Sequence, residues 1–170
     1  MKLTLQQKET IAQMMRLPLV YTLLRLSLRV VAPRHRCGVG VVVFDADGRI
    51  LMLRHVFHPK APWGLPGGIM ERREAPEVCI KRELREETGL EVDLGPVVLV
   101  YREPNLDHIG IVYTARILPG PIKLSSEIIE ARWYDPAELP APLRPYDRKG
   151  IAAALEHNGL LTPKRSLSIE

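Results

Sequence analysis

Only two cysteines, Cys37 and Cys79, occur in the chain, and their separation matches neither a metal-binding pair nor a disulfide framework. That scarcity argues against a stapled secreted scaffold, a zinc ribbon and thiol redox chemistry, and it fits a reducing, cytoplasmic compartment. Aromatic residues make up 5% of the sequence and are not interleaved with a basic cluster, so a nucleic-acid surface is not expected. No apolar run reaches the ~20 residues that a bilayer span needs. The most hydrophobic stretch, Leu17 to Val31, is shorter and is interrupted by Arg25 and Arg29. Met1 to Arg16 lacks the basic segment and apolar core of a signal peptide, so export is not expected either. Internal repeats and low-complexity linkers are missing.

What remains is ordinary for a globular chain: 170 residues, 46% hydrophobic and 26% charged, enough to bury one core. Basic residues outnumber acidic ones by 24 to 20, which permits an anionic partner without choosing one. The patterning predicts a helical arm over residues 1–34 followed by a domain over 35–170. Thr4 with Gln7 spells a capping box, so a helix should begin there and run toward Arg16. A second helix should begin at Pro18, with Thr22, Arg25 and Arg29 as a narrow polar stripe on an otherwise apolar circumference. Such a helix needs cover, expected from the domain or from a second subunit in a homodimer. The alternative is peripheral contact with a membrane, supported by Arg16, Arg25, Arg29, Arg34 and Arg36.

Strands are expected at Val39 to Phe44 and Arg49 to Val56, joined by a tight Asp-Ala-Asp-Gly turn at 45–48. Proline and glycine between Pro59 and Gly68 then suggest a loop, and Pro76 and Gly89 suit the two ends of a helix. Further strands are expected at Val97 to Arg102, Ile109 to Leu118 and Ala131 to Tyr134. A last helix should run from about Asp147 to His157.

On the helix from Pro76, the 100° step puts Glu83, Glu86 and Glu87 within an arc of about 100°. Like charges at i, i+4, here Glu83 and Glu87, cost roughly 0.2–0.5 kcal/mol per pair. A hard divalent cation would reverse that cost, and oxygen ligands of this kind suit Mg²⁺ or Mn²⁺. The bland alternative is a solvated acidic face balanced by Lys81, Arg82 and Arg85. The wider pattern decides between them. Gly68, Glu74, Arg82, Glu83, Leu84, Glu86, Glu87, Gly89 and Leu90 fit Gly-x5-Glu-x7-Arg-Glu-aliphatic-x-Glu-Glu-x-Gly-aliphatic at every position. By average residue usage, a chance match is on the order of 10⁻⁹ to 10⁻⁸ per starting point.

That pattern is the Nudix box, and the chain resembles the Nudix hydrolases from about Arg36 to Gly159. The resemblance implies an α+β fold, an α/β/α sandwich around a mixed, curved sheet. It implies that Glu83, Glu86 and Glu87 hold the catalytic metal, with a carbonyl near Gly67 completing its shell. Glu74 and Arg82 look like the pair that braces loop and helix, either structurally or with a direct part in catalysis. Glu127 sits where family members often carry a further acid, for metal binding or as general base, with Glu130 as a substitute; Glu83 is the other candidate base. Arg54 and Arg102, from their strand-end placement, are candidate phosphate contacts.

The chemistry so implied is hydrolysis of a phosphoanhydride with Mg²⁺, replaceable by Mn²⁺, in a small-molecule nucleotide. The leading substrate class is a nucleoside diphosphate linked to another moiety, such as ADP-ribose or a nucleotide sugar. A nucleoside triphosphate pyrophosphohydrolase is the rival. A binding module that kept the fold and lost catalysis would need a missing box glutamate, and none is missing.

Overall fold

The computed structural model describes residues 4–31, 35–103 and 107–160. The chain divides into two compact units, residues 1–34 and 35–170. In the first, α1 (Leu5–Met14) starts at the capping box expected of it. The Gln7 amide donates to the Thr4 hydroxyl at 3.3 Å, and the Thr4 amide donates to the Gln7 side chain at 2.9 Å. α2 (Pro18–Val31) follows after a short turn.

The second unit is built around seven strands: β1 (Arg36–Phe44), β2 (Ile50–His55), β3 (Trp63–Gly64), β4 (Gly67–Ile69), β5 (Val92–Glu103), β6 (His108–Ile117) and β7 (Ile128–Tyr134). They form one mixed sheet in the order β3-β2-β1-β6-β5, with β1 and β6 parallel and the other pairs antiparallel. α3 (Pro76–Thr88) covers one face and α4 (Pro145–His157) the other, giving the expected sandwich.

Strand alternation sorts the core into two layers. Val39, Val41 and Val43 of β1 and Leu51 and Leu53 of β2 point to α3, where they meet Cys79, Ile80 and Leu84. Val42, Phe44, Ile50 and Met52 point the other way, against Ile151, Ala154 and Leu155 of α4. Val41 to Val43 are fully buried, as expected for a central strand covered on both faces. Leu84 is likewise fully buried, so its truncation to alanine should cost about 2–5 kcal/mol.

The turn at 45–48 forms as expected: Asp45 Oδ1 accepts from the amides of Asp47 and Arg49, and Gly48 has φ of 79°. The hairpin beyond it does not continue. β1 and β2 pair only at Phe44 and Ile50 and then diverge. β4 takes the place beside β1 and β3 the place beside β2, while β7 runs along the other edge of β2. The sheet therefore forks, and the Gly67–Gly68 segment lies in the fork.

Several elements depart from the sequence reading. β3 and β4 lie in the proline- and glycine-rich stretch expected to be a loop. β5 begins at Val92, earlier than Val97, and absorbs Gly95 and Pro96 through shifts in register between Leu94 and Leu99. α4 starts at Pro145, two residues before Asp147.

Candidate active site

α3 is set by its ends. Pro76 occupies the first turn, and Gly89, at φ of 72°, closes the helix with its amide on the Arg85 carbonyl at 2.8 Å. Cys79, Ile80, Leu84 and Thr88 fill the face toward the sheet. That packing turns Glu83 and Glu87 toward the fork, while Glu86 stays largely exposed. Two carbonyls at the C-terminal end of α3 are taken up by the loop between β6 and β7: the Ser125 amide donates to Glu87 at 3.0 Å and the Lys123 amide to Thr88 at 2.7 Å. The Val56 amide donates to the Glu127 carbonyl at 2.9 Å, tying the same loop to the end of β2. Glu127 thus comes to the box helix through backbone bonds.

Glu83, Glu86, Glu87 and Glu127 line one cavity of about 450 Å³, together with Gly67, Gly68, His55, Arg82 and Arg144. Arg82 spans the acidic face. It donates to both oxygens of Glu74, at 2.8 and 3.0 Å, and its Nη1 also reaches Glu83 at 3.0 Å and Glu86 at 3.1 Å. The guanidinium beside Glu74 holds that carboxyl down at about 2. Glu74 also accepts from the Glu71 amide at 2.8 Å, which pins the loop ahead of α3. Glu74 and Arg82 thus link the loop ahead of α3 to the helix.

Glu87 is the most buried of the acids in this cavity. Burial, with smaller contributions from the charges of Glu83 and Glu127, pushes it up to about 8 against the pull of the Gly67 amide, which donates to it at 3.1 Å. His55 lies 3.8 Å from Glu87 and is pushed down to about 4, by burial first and by the charge of Arg144 second. Glu83 is also raised, mainly by burial. A cluster whose carboxyls resist ionisation is short of positive charge. Among the described residues no three acidic, histidine or cysteine side chains converge into a ready-made cage. The fit to a hard cation rests on an all-oxygen donor set and on room made for it. A Cβ at Gly68 would collide with the Glu83 carboxylate, so only glycine leaves that carboxylate where it is.

A second cavity of about 350 Å³ adjoins the first, sharing Gly67, Gly68, Ile69, His58 and Arg144 with it. It has a different character. Tyr101 and Tyr146 stack at 5.4 Å between centroids with rings 9° apart, and Leu65 and Val112 add apolar wall. Arg144 stands between the two cavities, 4.8 Å over the Tyr146 ring and 2.7 Å from Asp147, whose side chain is 4% exposed. It is tightly seated, since a Cβ at Gly64 would collide with its guanidinium.

Two expected contacts are not brought to either cavity. Arg54 alternates with Leu53 and His55, so it lies on the opposite side of β2 and pairs with Glu130 at 3.3 Å. Arg102 lies between Tyr101 and Glu103, which do line the second cavity, and pairs instead with Asp107 at 3.3 Å. Glu130 is held by Arg54 and by Arg132 and does not line the cavity. Sequence reasoning missed Arg144 and His55. Each had a signal. Arg144 puts a cation immediately before the proline that opens a helix, where the dipole disfavours it unless an anion is near. His55 shares its strand face with Leu51 and Leu53, which points it under α3.

A NUDIX domain model matches residues 34–154, which include the whole of Gly68 to Leu90. The chain belongs to the Nudix family of hydrolases. A MutT-like protein of Streptomyces ambofaciens is 34% identical over 107 residues, 63% of this chain and 68% of that protein. The ADP-ribose pyrophosphatase of Methanocaldococcus jannaschii is 32% identical over 103 residues, 58% of this chain and 61% of that relative. The crystal structure of a MutT Nudix hydrolase from Burkholderia pseudomallei superposes with a TM-score of 0.64 at 27% identity, covering 71% of this chain and 98% of that one. Like its Nudix relatives, the chain is a hydrolase of phosphorus-containing acid anhydrides. Among the described residues no helix is long and apolar enough to cross a membrane.

Proposed function

We propose that the chain is a Mg²⁺-dependent pyrophosphohydrolase of nucleoside diphosphates linked to a second moiety, of the ADP-ribose or nucleotide-sugar type. The observation that carries this reading is the pair of adjoining cavities, one lined by carboxylates and the other by stacked tyrosines, with Arg144 between them. An anhydride in the first cavity would leave one end of the substrate in the second, where apolar wall and ring faces suit a base or sugar. The Methanocaldococcus relative, named for ADP-ribose, supports the same class.

In this reading Glu83, Glu86 and Glu87 hold the cation on one rigid helix, with the Gly67 carbonyl as a further donor. Bound there, the cation would neutralise the anhydride and polarise it toward attack by water. Arg82, fixed by Glu74, keeps Glu83 and Glu86 oriented and acts as a positioning residue. Glu127, which lines the same cavity, orients water and takes its proton. Arg144 contacts the phosphate oxygens nearest the second cavity, the role the sequence had suggested for Arg54 and Arg102.

A product-resolved screen with Mg²⁺ tests the substrate class. ADP-ribose should give AMP and ribose 5-phosphate with a higher kcat/KM than any nucleoside triphosphate. Release of pyrophosphate from a triphosphate as the preferred reaction would assign the rival activity instead.

A further inference from the structure

α2 presents an exposed apolar surface of a particular kind. At 100° per residue, Leu26, Leu19, Val30 and Leu23 occupy one flank and Val20, Val31, Leu24, Leu28 and Tyr21 the other, together about 220° of the circumference. Ser27 falls between the two flanks, its hydroxyl donating to the Leu24 carbonyl at 2.8 Å, and Pro18, Thr22 and Arg25 lie in the strip that remains. The apolar side chains stand in the open, with Leu19 72%, Leu23 57%, Leu26 57% and Leu28 55% exposed. The Arg25 guanidinium lies 5.7 Å over the Tyr21 ring, so cation and aromatic meet at the border of strip and arc.

Charge divides along the chain in the same way. Residues 1–34 hold six basic residues and one acid, net +5; residues 35–170 hold eighteen and nineteen, net −1. The excess positive charge of the whole chain therefore resides in the arm. A cover for α2 has to satisfy both an apolar arc and this charge. A second copy of the arm would bring +5 against +5, and the rest of the chain offers only −1. A negatively charged lipid surface answers both.

We propose that α2 is a membrane-surface anchor, lying in the plane of an anionic bilayer with its apolar arc among the acyl chains and the basic residues of the arm at the lipid phosphates. Its fourteen residues extend about 21 Å, too short to cross a hydrocarbon core of about 30 Å but suited to lying along it. Tyr21 and Arg25 sit where an in-plane helix places its amphipathic ring and its headgroup contact.

Flotation of the full chain with vesicles tests this, using phosphatidylcholine alone and phosphatidylcholine with one third phosphatidylglycerol. The chain should float with the anionic vesicles and not with the neutral ones. Raising salt to 1 M, where the screening length falls to about 3 Å, should weaken the association strongly. Each basic residue near an anionic surface is worth about a fivefold gain in partitioning, so Arg25→Glu, a change of two charges, should lower it on the order of 20-fold. Leu23→Glu should abolish flotation. Neither variant should change helical content by circular dichroism or turnover of a dissolved nucleotide. The proposal is overturned if the parent does not float with anionic vesicles, or if both variants float as well as the parent. It is equally overturned if light scattering shows a dimer that Leu23→Glu dissociates while no vesicle binding occurs, which would make α2 a subunit interface.

Discussion

Adding a single methyl group at two neighbouring glycines should separate catalysis from folding. At Gly68 the new Cβ would collide with the Glu83 carboxylate, the far end of a flexible side chain. Glu83 can rotate away at a cost of about 0.5–1.5 kcal/mol, and β4 keeps its pairing with β1. Gly68→Ala should therefore melt within about 6 °C of the parent, at about 2–4 °C per kcal/mol for a chain of this size. Its turnover should fall on the order of 10²-fold, the usual consequence of displacing a catalytic group by about 1 Å. At Gly67 the Cβ would meet backbone, colliding with the Val39 carbonyl and lying 2.8 Å from the Gly40 Cα, and φ is 149°. Gly67→Ala should cost about 1–3 kcal/mol in backbone strain before any clash is counted, and so melt lower than Gly68→Ala. Thermal melts followed by circular dichroism, with steady-state rates on the same samples, give both quantities. Parental turnover in Gly68→Ala would refute the reasoning, because Glu83 would then not be needed where the fork holds it.

Glu87, at about 8 in the folded chain and near 4.5 unfolded, binds a proton in the native state that the unfolded chain has lost between those pH values. Its contribution to stability therefore falls as pH rises from about 4.5 to 8. Glu87→Gln should remove that slope and leave the metal-free variant more stable than the parent at pH 8, measured by urea denaturation in chelator; His55, at about 4, acts with the opposite sign between 4 and 6.5 but is common to both proteins. For the same reason Mg²⁺ binding at pH 7 should release a proton, seen as a dependence of calorimetric heat on the ionisation enthalpy of the buffer. Glu74→Gln, which loosens the hold on Arg82, should weaken Mg²⁺ binding about 10–100-fold without touching the metal directly. Arg144→Lys keeps a charge for the buried Asp147 and should raise KM more than it lowers kcat, with metal affinity unchanged. Glu127→Gln should lower kcat by about 10²–10⁴ with metal affinity nearly intact, measured by steady-state rates and metal titration.

Much of this was legible in the sequence because the deciding features are local. Helical spacing alone puts Glu83, Glu86 and Glu87 together, and Pro76 and Gly89 mark the helix that carries them. The capping box at Thr4 needs only residues three apart. What escaped depends on partners distant in the chain. β3 and β4 are two and three residues long and exist because β1 and β2 part, which no local pattern announces. β5 extends back through Gly95 and Pro96, residues that disfavour a strand locally, because the pairing with β6 accommodates them through shifts in register. Arg54 and Arg102 failed on side-chain direction: each is one residue away, along a strand, from a neighbour that does line a cavity, His55 in one case and Tyr101 in the other. Arg144 was passed over because its role comes from Tyr146, Asp147 and the shared mouth of two cavities, which become visible only when α4 docks on the sheet.

If hydrolysis runs through a cation held on the carboxylate face of α3, Mn²⁺ titration followed by electron paramagnetic resonance, paired with ADP-ribose turnover on the same samples, will show both together. The parent should bind Mn²⁺, lose turnover in chelator and regain it with Mg²⁺, while Glu87→Gln should bind Mn²⁺ more weakly and turn over far more slowly. Turnover that persists in chelator, or a Glu87→Gln variant that matches the parent in both measurements, would contradict the account.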